Sequence, residues 1–246
     1  MESIKHSQIT RLGLILVMLL LVNILLSVAL PVGPVVVSTS NETAVAKSAA
    51  LLNTSGGSIT TLKLNATSQN QRWKAYVGNI TGILTLDDAN NHTIFDWTLS
   101  NVMGEIYATR SPASLQWTNM NCSNLTHISN EEIAINHTSN PDDNITITFN
   151  SQIHNSFFVG TRQIPSNNCY SIHTYINDTN QISSFEEVIL YDGTNSTDGQ
   201  IVYTSLLEQD KIGFDGSSYD FQMIVPEKGL STWAGSTAYY FYVELT

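Results

Sequence analysis

The sequence predicts an all-β protein, a β-sandwich built as one large unit or as two fused halves, after an N-terminal transmembrane or signal helix. Three observations support this prediction. Residues 12–30 form an uncharged apolar run, and short alternating segments separated by Asp, Asn and Gly turns fill the rest of the chain. Long helical periodicity is absent. Many short strands with turn residues between them are typical of a sandwich.

The apolar run is long enough to cross a membrane. Its nineteen residues contain no charge. As a helix they would span about 28 Å, close to the thickness of a hydrocarbon core. Residues 1–11 form a cytoplasmic region with Lys5 and Arg11, whereas the next basic residue is Lys47. Because positive charge stays on the cytoplasmic side, the chain after residue 30 is expected to lie outside the cell.

Two fates of this leader remain open. Ser27-Val28-Ala29 is a small-x-small pattern, so a signal peptidase could cut after Ala29 and release a secreted protein. Alternatively, the run stays uncut and anchors a single-pass protein in the cell membrane, since it exceeds the usual signal length. Pro31 and Pro34 would end the helix in both cases.

Glycosylation acceptors are dense in the predicted exported part. Eleven Asn-x-Ser/Thr sequons occur among 23 Asn residues, about twice the number that composition alone predicts. A glycosylated surface would keep a weakly charged body soluble. The acceptors are Asn41, Asn53, Asn65, Asn79, Asn91, Asn121, Asn124, Asn136, Asn144, Asn177 and Asn195.

Cys122 and Cys169 are the two cysteines of the chain. In an exported domain the expected state is one disulfide, and the alternative is two unrelated buried thiols. Two cysteines are too few for a disulfide-dense scaffold or a four-cysteine metal site.

Residues 31–58 are predicted to be a Ser/Thr/Pro-rich stalk, and residues 59–246 an extracellular β-sandwich domain. A second interpretation makes Val35–Val37 a strand that adds to the sheet edge of a neighbouring subunit. The predicted strands are Ser58–Leu64, Ala75–Val77, Ile80–Leu86, Thr93–Leu99, Gly104–Arg110, Asn144–Asn150, Ile153–Thr161, Glu187–Tyr191, Gln200–Leu206, Asp220–Val225 and Thr237–Leu245.

Two segments carry a family resemblance. One begins WKAYVGNITG at Trp73, and the other runs from Tyr219 to Glu227 and from Ala238 to Leu245. Together they resemble uncharacterised archaeal secreted or membrane-anchored surface proteins with a W-x-x-Y-x-G-N-x-T-G β-hairpin motif. The resemblance implies an extracytoplasmic, β-rich protein of the archaeal cell surface, and it implies no reaction.

The aromatic residues of these segments have two interpretations. Trp73, Tyr76, Phe95, Trp97 and Tyr107 are expected to pack between strands. Alternatively, an exposed tryptophan would stack against a sugar or a polymer.

One turn offers oxygen ligands. Asp192, Asn195 and Asp198 lie at a spacing of three in DGTNSTDG, which would suit a turn or a calcium site. No other cofactor is expected.

Function classes can be narrowed further. The formal net charge of -11 excludes a nucleic-acid phosphate binder. Nucleophile-elbow, zinc-hydrolase and phosphate-loop motifs are absent. Scattered carboxylates such as Glu105, Glu186 and Glu187 leave an extracellular hydrolase as the weakest alternative. The expectation is a non-enzymatic, glycosylated surface protein that contacts the membrane through residues 12–30, and envelope polymers, other surface proteins or itself through its body. The alternative is a carbohydrate- or calcium-dependent binding module.

Overall fold

The computed structural model describes residues 30–45, 48, 51, 53–228 and 235–246. Strands make up 32% of these described residues and helices 8%, so the prediction of a β-rich fold is confirmed. The predicted leader, apart from residue 30, lies outside the described residues. Within the described ranges, no helix is both long enough and apolar enough to span a bilayer.

The described residues form fourteen strands, two short α-helices and one 3-10 turn. The strands are β1 (Trp73–Gly78), β2 (Ile83–Asp87), β3 (Thr93–Thr98), β4 (Gly104–Thr109), β5 (Asn121–Cys122), β6 (Phe157–Val159), β7 (Arg162–Ile164), β8 (Ser171–His173), β9 (Glu186–Tyr191), β10 (Ile201–Leu206), β11 (Lys211–Ile212), β12 (Ser218–Tyr219), β13 (Phe221–Pro226) and β14 (Tyr240–Leu245). The helices are α1 (Leu125–Ala134) and α2 (Ile145–Thr148), and the 3-10 turn spans Trp117–Asn119.

A six-stranded antiparallel sheet forms the centre of the molecule. Its order is β14-β4-β10-β9, and the short strands β5 and β8 both pair with β9. Strands β9 and β10 are almost wholly buried because both faces of the sheet are covered. Their apolar residues therefore run continuously rather than alternating with polar ones.

One face of the sheet packs against the β1–β13 pair and the two helices. Tyr203 of β10 belongs to the same buried cluster as Met223 and Val225 of β13, Ile128 of α1 and Phe149 after α2. The opposite face packs against the β6–β7 hairpin and the loop before β5. That second cluster contains Tyr107, Leu190, Val202, Met120 and Phe157.

The first described residues pair with the sheet edge. Val32 exchanges two backbone hydrogen bonds with Val243 of β14, at 3.0 and 2.8 Å, and Pro31 is buried. Residues 33–45 and 53–71 are exposed and form no strand. After the Val32 bridge, the first described strand is β1, which begins at Trp73. Val35–Val37 are exposed and pair with nothing in the described chain.

Two strand predictions were wrong. Ser58–Leu64 alternates in polarity but finds no partner strand, and Leu64 is 84% exposed. Asn144–Asn150 forms a helical turn because the Asn144 side chain accepts a hydrogen bond from the Ile147 N–H at 2.8 Å. This local cap outweighs the strand preference of the Ile and Thr residues that follow.

The W-x-x-Y-x-G-N-x-T-G segment is not a self-paired hairpin. Its strand β1 pairs along its whole length with β13, which comes from the second segment of the resemblance. Gly82 ends the motif, and a Cβ there would collide with the Leu245 side chain. Gly82 therefore lies in close contact with the Leu245 side chain.

Candidate functional site

The disulfide predicted between Cys122 and Cys169 is present, with the sulfur atoms bonded. Cys122 ends β5, and Cys169 precedes β8 by two residues. Since both short strands pair with the same edge of β9, at successive positions, the bond holds them end to end along that edge.

The oxygens of the candidate calcium loop are engaged within the loop. Asp192 is buried and accepts hydrogen bonds from the backbone N–H groups of Gln116 and Gln200, at 3.0 and 2.5 Å. Asp198 accepts from the N–H and side-chain amide of Asn195, at 2.8 and 2.9 Å, and from Thr194. These bonds form the β9–β10 turn. Within the described ranges, no group of three or more His, Cys, Asp and Glu residues could hold a metal ion.

All eleven sequon asparagines are described, and none of them is buried. Asn124 and Asn144 cap the N-termini of α1 and α2 through their side-chain oxygens. A glycan is attached to the nitrogen of the amide, so capping and glycosylation are compatible at these two positions.

Four buried or half-buried carboxylates are structural in their contacts. Glu186 accepts from the N–H and side chain of Asn155, at 2.5 and 2.6 Å. Glu187 is fully buried and accepts a hydrogen bond from the Ile224 N–H at 2.8 Å. Burial raises the pKa of Glu187 well above the ordinary value.

Two neighbouring acids of α1 also have structural contacts. Glu131 forms a two-point ion pair with Arg110, at 2.6 and 2.7 Å. Glu132 accepts from the Thr146 N–H at 2.7 Å.

A pair of buried acids lies on the second face of the sheet. Glu105 of β4 is directly opposite Glu244 of β14. The Tyr107 hydroxyl donates to Glu244 at 2.8 Å, and the Gly160 N–H donates to it at 2.9 Å. One carboxylate oxygen of Glu105 has no hydrogen-bond partner. Burial and the charge of Glu244 raise the pKa of Glu105 to about 8, and the backbone of Phe158 partly offsets this rise.

Burial also raises the pKa of Glu244, and the hydrogen bonds from Tyr107 and Gly160 partly offset that rise. Glu105 has a pKa of about 8, so it is protonated at neutral pH. The sequence singled out Glu105 but gave no sign of Glu244, since only the pairing of β4 with β14 brings the two together. The pair is enclosed by the β6–β7 turn, so we assign it to the interior of the fold.

The described tryptophans differ in exposure. Trp73 is half-buried and donates to the Asp143 carbonyl at 2.8 Å. Trp117 is half-buried between Tyr107 and Tyr242, with ring centroids 5.1 and 5.2 Å away. Trp97 is 49% exposed. Trp233 lies outside the described residues.

Trp97 belongs to an exposed two-stranded element, β2–β3, which we name the apolar ribbon (residues 83–98). The register places Leu84 opposite Trp97 and Leu86 opposite Phe95, so these four side chains share one face. Phe95 and Trp97 meet edge to face with ring centroids 5.0 Å apart. Phe95 and Trp97 lie opposite Leu86 and Leu84 of the adjacent strand, but both remain about half exposed because no further described strand pairs with β2 or β3.

Comparison with known proteins gives no identification: no family matches the chain, and no curated protein or solved structure is significantly similar to it. The resemblance to archaeal surface proteins therefore stays a prediction. In the described chain, the apolar ribbon exposes a group of large apolar side chains that suits contact with a partner.

Proposed function

We propose that this chain is an exported, membrane-tethered and glycosylated surface protein that works by contact rather than by turnover. The apolar ribbon carries the proposal. Its four large side chains on one face are between 43% and 57% exposed, whereas the central sheet is covered on both faces. Contiguous exposed apolar residues on an otherwise packed domain are typical of an interaction surface.

Three further observations support an exported location. The cysteines form a disulfide, and none of the eleven sequon asparagines is buried. The basic residues close to the apolar run 12–30 all precede it in the chain. We also propose that the fold is a β-sandwich, with the β1–β13 pair as its second layer, and that the chain belongs to the archaeal surface proteins its motif resembles.

Protease treatment of whole cells tests the location. Lys63 lies in the exposed, strand-free stretch before β1 and is an accessible trypsin site. We expect trypsin to cut after Lys63 on intact cells and to leave the wild-type body as a fragment that begins at Leu64. A Lys63→Gln variant is the matched control and should resist this cut. Cleavage of the wild type in lysed cells only, with full protection in intact cells, would contradict export.

A carbohydrate-binding module is the second candidate, favoured by the exposure of Trp97 and its edge-to-face contact with Phe95. Aromatic rings on a flat strand surface can stack against sugars. Binding to the purified envelope polysaccharide of the host would then fall in a Trp97→Phe variant and persist in Trp117→Phe. Equal binding by both variants would remove this candidate.

A further inference from the structure

The apolar ribbon has one face without charge. Leu84, Leu86, Phe95 and Trp97 form that face, and Thr85 and Asp96 are paired on the other. The acidic tip is turned to its own backbone: Asp88 accepts from the N–H groups of Asn90 and His92, at 2.8 and 2.9 Å. The opposite face also exposes Ile83 and Ile94, but it carries Asp96 between Thr residues, so the face with the two aromatic rings is the uncharged one that suits an apolar surface.

The base of the ribbon is fixed to the end of β14. Gly82 directly precedes the ribbon and packs so closely on the Leu245 side chain that a Cβ would collide with it. The same Cβ would lie 3.1 Å from the side chain of Leu99, which directly follows the ribbon. Leu245 is the last residue of β14. The ribbon thus projects from the same end of the central sheet at which β14 finishes.

The predicted leader enters the body at this same end. Val32 pairs with Val243 in an antiparallel bridge, so the register carries Leu30 toward Leu245. A Cβ placed on Gly160 would lie 3.3 Å from the Leu30 side chain. Pro31, between Leu30 and Val32 in the chain, is buried. Residue 30 is therefore only two residues from the sheet edge, and the exposed residues 33–45 and 53–71 follow Val32 in the chain and do not separate the leader from the body.

A third apolar residue marks this end. Met103 precedes the β4 residue that pairs with Leu245, its carbonyl accepts from the Thr246 N–H at 3.0 Å, and its side chain is 56% exposed. Leu30 is itself 50% exposed. Neither β2 nor β3 contains Lys or Arg, so attraction to anionic groups would contribute little.

We infer that the apolar face of the ribbon rests in the interfacial layer of the bilayer that holds residues 12–30. This inference rests on the proposed function, because it requires the leader to be anchored and the body to be outside. A bilayer surface is the occupant that the position of Leu30 favours, since the leader ends beside the base of the ribbon. Trp and Phe are well suited to this layer, which is apolar on one side and hydrated on the other.

Lipid quenching of tryptophan tests the inference. The full chain is reconstituted into phosphatidylcholine vesicles, with bromine atoms on acyl carbons near the head group, and trypsin confirms that the body faces outward. We expect the brominated lipid to quench a component of tryptophan emission that is lost in Trp97→Phe and kept in Trp117→Phe. Because the ribbon contains no Lys or Arg, this quenching should not change with salt at pH 8.

A second pair of variants tests the face of the ribbon. Leu86→Gln alters the apolar face, whereas Ile94→Gln alters the exposed opposite face, where Ile94 is 80% exposed. We expect Leu86→Gln to lose the Trp97 quenching and Ile94→Gln to retain it. Outward-facing bodies without any Trp97 quenching would overturn the inference while leaving export and contact intact. Protection of Trp97 by added envelope polysaccharide or by self-association, without lipid quenching, would assign the ribbon to those partners instead.

Discussion

Glu105 and Glu244 face each other from neighbouring strands, and both are buried. Burial raises the pKa of both carboxyl groups; the hydrogen bonds that Tyr107 and Gly160 donate partly offset the rise at Glu244, whereas the charge of Glu244 adds to the rise at Glu105. The pair lies under the β6–β7 turn, whose Gly160 also contacts Leu30. An acid pair is thus built into the end of the sheet where the leader enters.

Stability should fall as the pH rises through the range in which Glu105 ionises. Its pKa is raised from 4.5 to about 8, so the folded state binds more protons than the unfolded state between these values. The stabilising contribution is complete below 4.5 and lost as the pH passes 8. Glu105→Gln should flatten this decline in urea unfolding, and the exposed Glu42→Gln should not. An unchanged slope in Glu105→Gln would contradict the raised pKa of Glu105.

The opposite pH dependence is expected from Glu227. Burial raises its pKa, but hydrogen bonds from Thr237, Lys228 and Lys74 outweigh burial and lower the pKa to about 2. A depressed pKa gives stability that is present above the ordinary value of 4.5 and is lost as the pH falls toward 2. Glu227→Gln should be less stable than the wild type at neutral pH and should show a weaker acid decline. Identical acid unfolding curves would show that this cluster does not form.

The disulfide should stabilise the fold by limiting the unfolded chain. It closes a loop between residues 47 positions apart. Removing it in a Cys122→Ser, Cys169→Ser double variant should cost about 2–4 kcal/mol in the free energy of unfolding, measured with urea. Reductant should destabilise the wild type by a similar amount and leave the double variant unaffected. A wild type that ignores reductant would contradict the prediction.

Gly104 should not tolerate a side chain. Its φ is +130°, and a Cβ there would collide with the Glu244 carbonyl group on the paired strand. Gly104→Ala should therefore cost about 1–3 kcal/mol of stability. Gly56→Ala is the matched control, because nothing lies within 4 Å of its Cβ position. Equal thermal stability of the two variants would show that β4 and β14 are not paired in this register.

Features encoded by neighbouring residues could be predicted from the sequence. The Asp, Asn and Gly residues of DGTNSTDG indicated the β9–β10 turn, and DDANN indicated the tip of the ribbon, because such side chains satisfy turn amides locally. The disulfide followed from composition and compartment. The β-rich class followed from the density of short apolar segments.

Features that depend on distant pairing could not be predicted. Trp97 and Phe95 occur in an alternating segment that would suit a core strand. They are exposed because no third strand of the described chain pairs with β2 or β3. Glu244 occurs within an aromatic strand, and its partnership with Glu105 depends on the order of the central sheet. The pairing of Val32 with Val243 of β14 could likewise not be predicted, because the two residues are far apart in the sequence.

The central claim is that the β-rich domain is exported and glycosylated and acts by contact. Mass analysis of the native protein from host membranes tests this claim most directly. Intact mass, glycopeptide mapping and thiol labelling are read on the same sample. The account predicts glycans on several of the eleven exposed or half-exposed sequon asparagines, and Cys122 linked to Cys169. An unmodified protein recovered from the cytosol with both thiols free would contradict it.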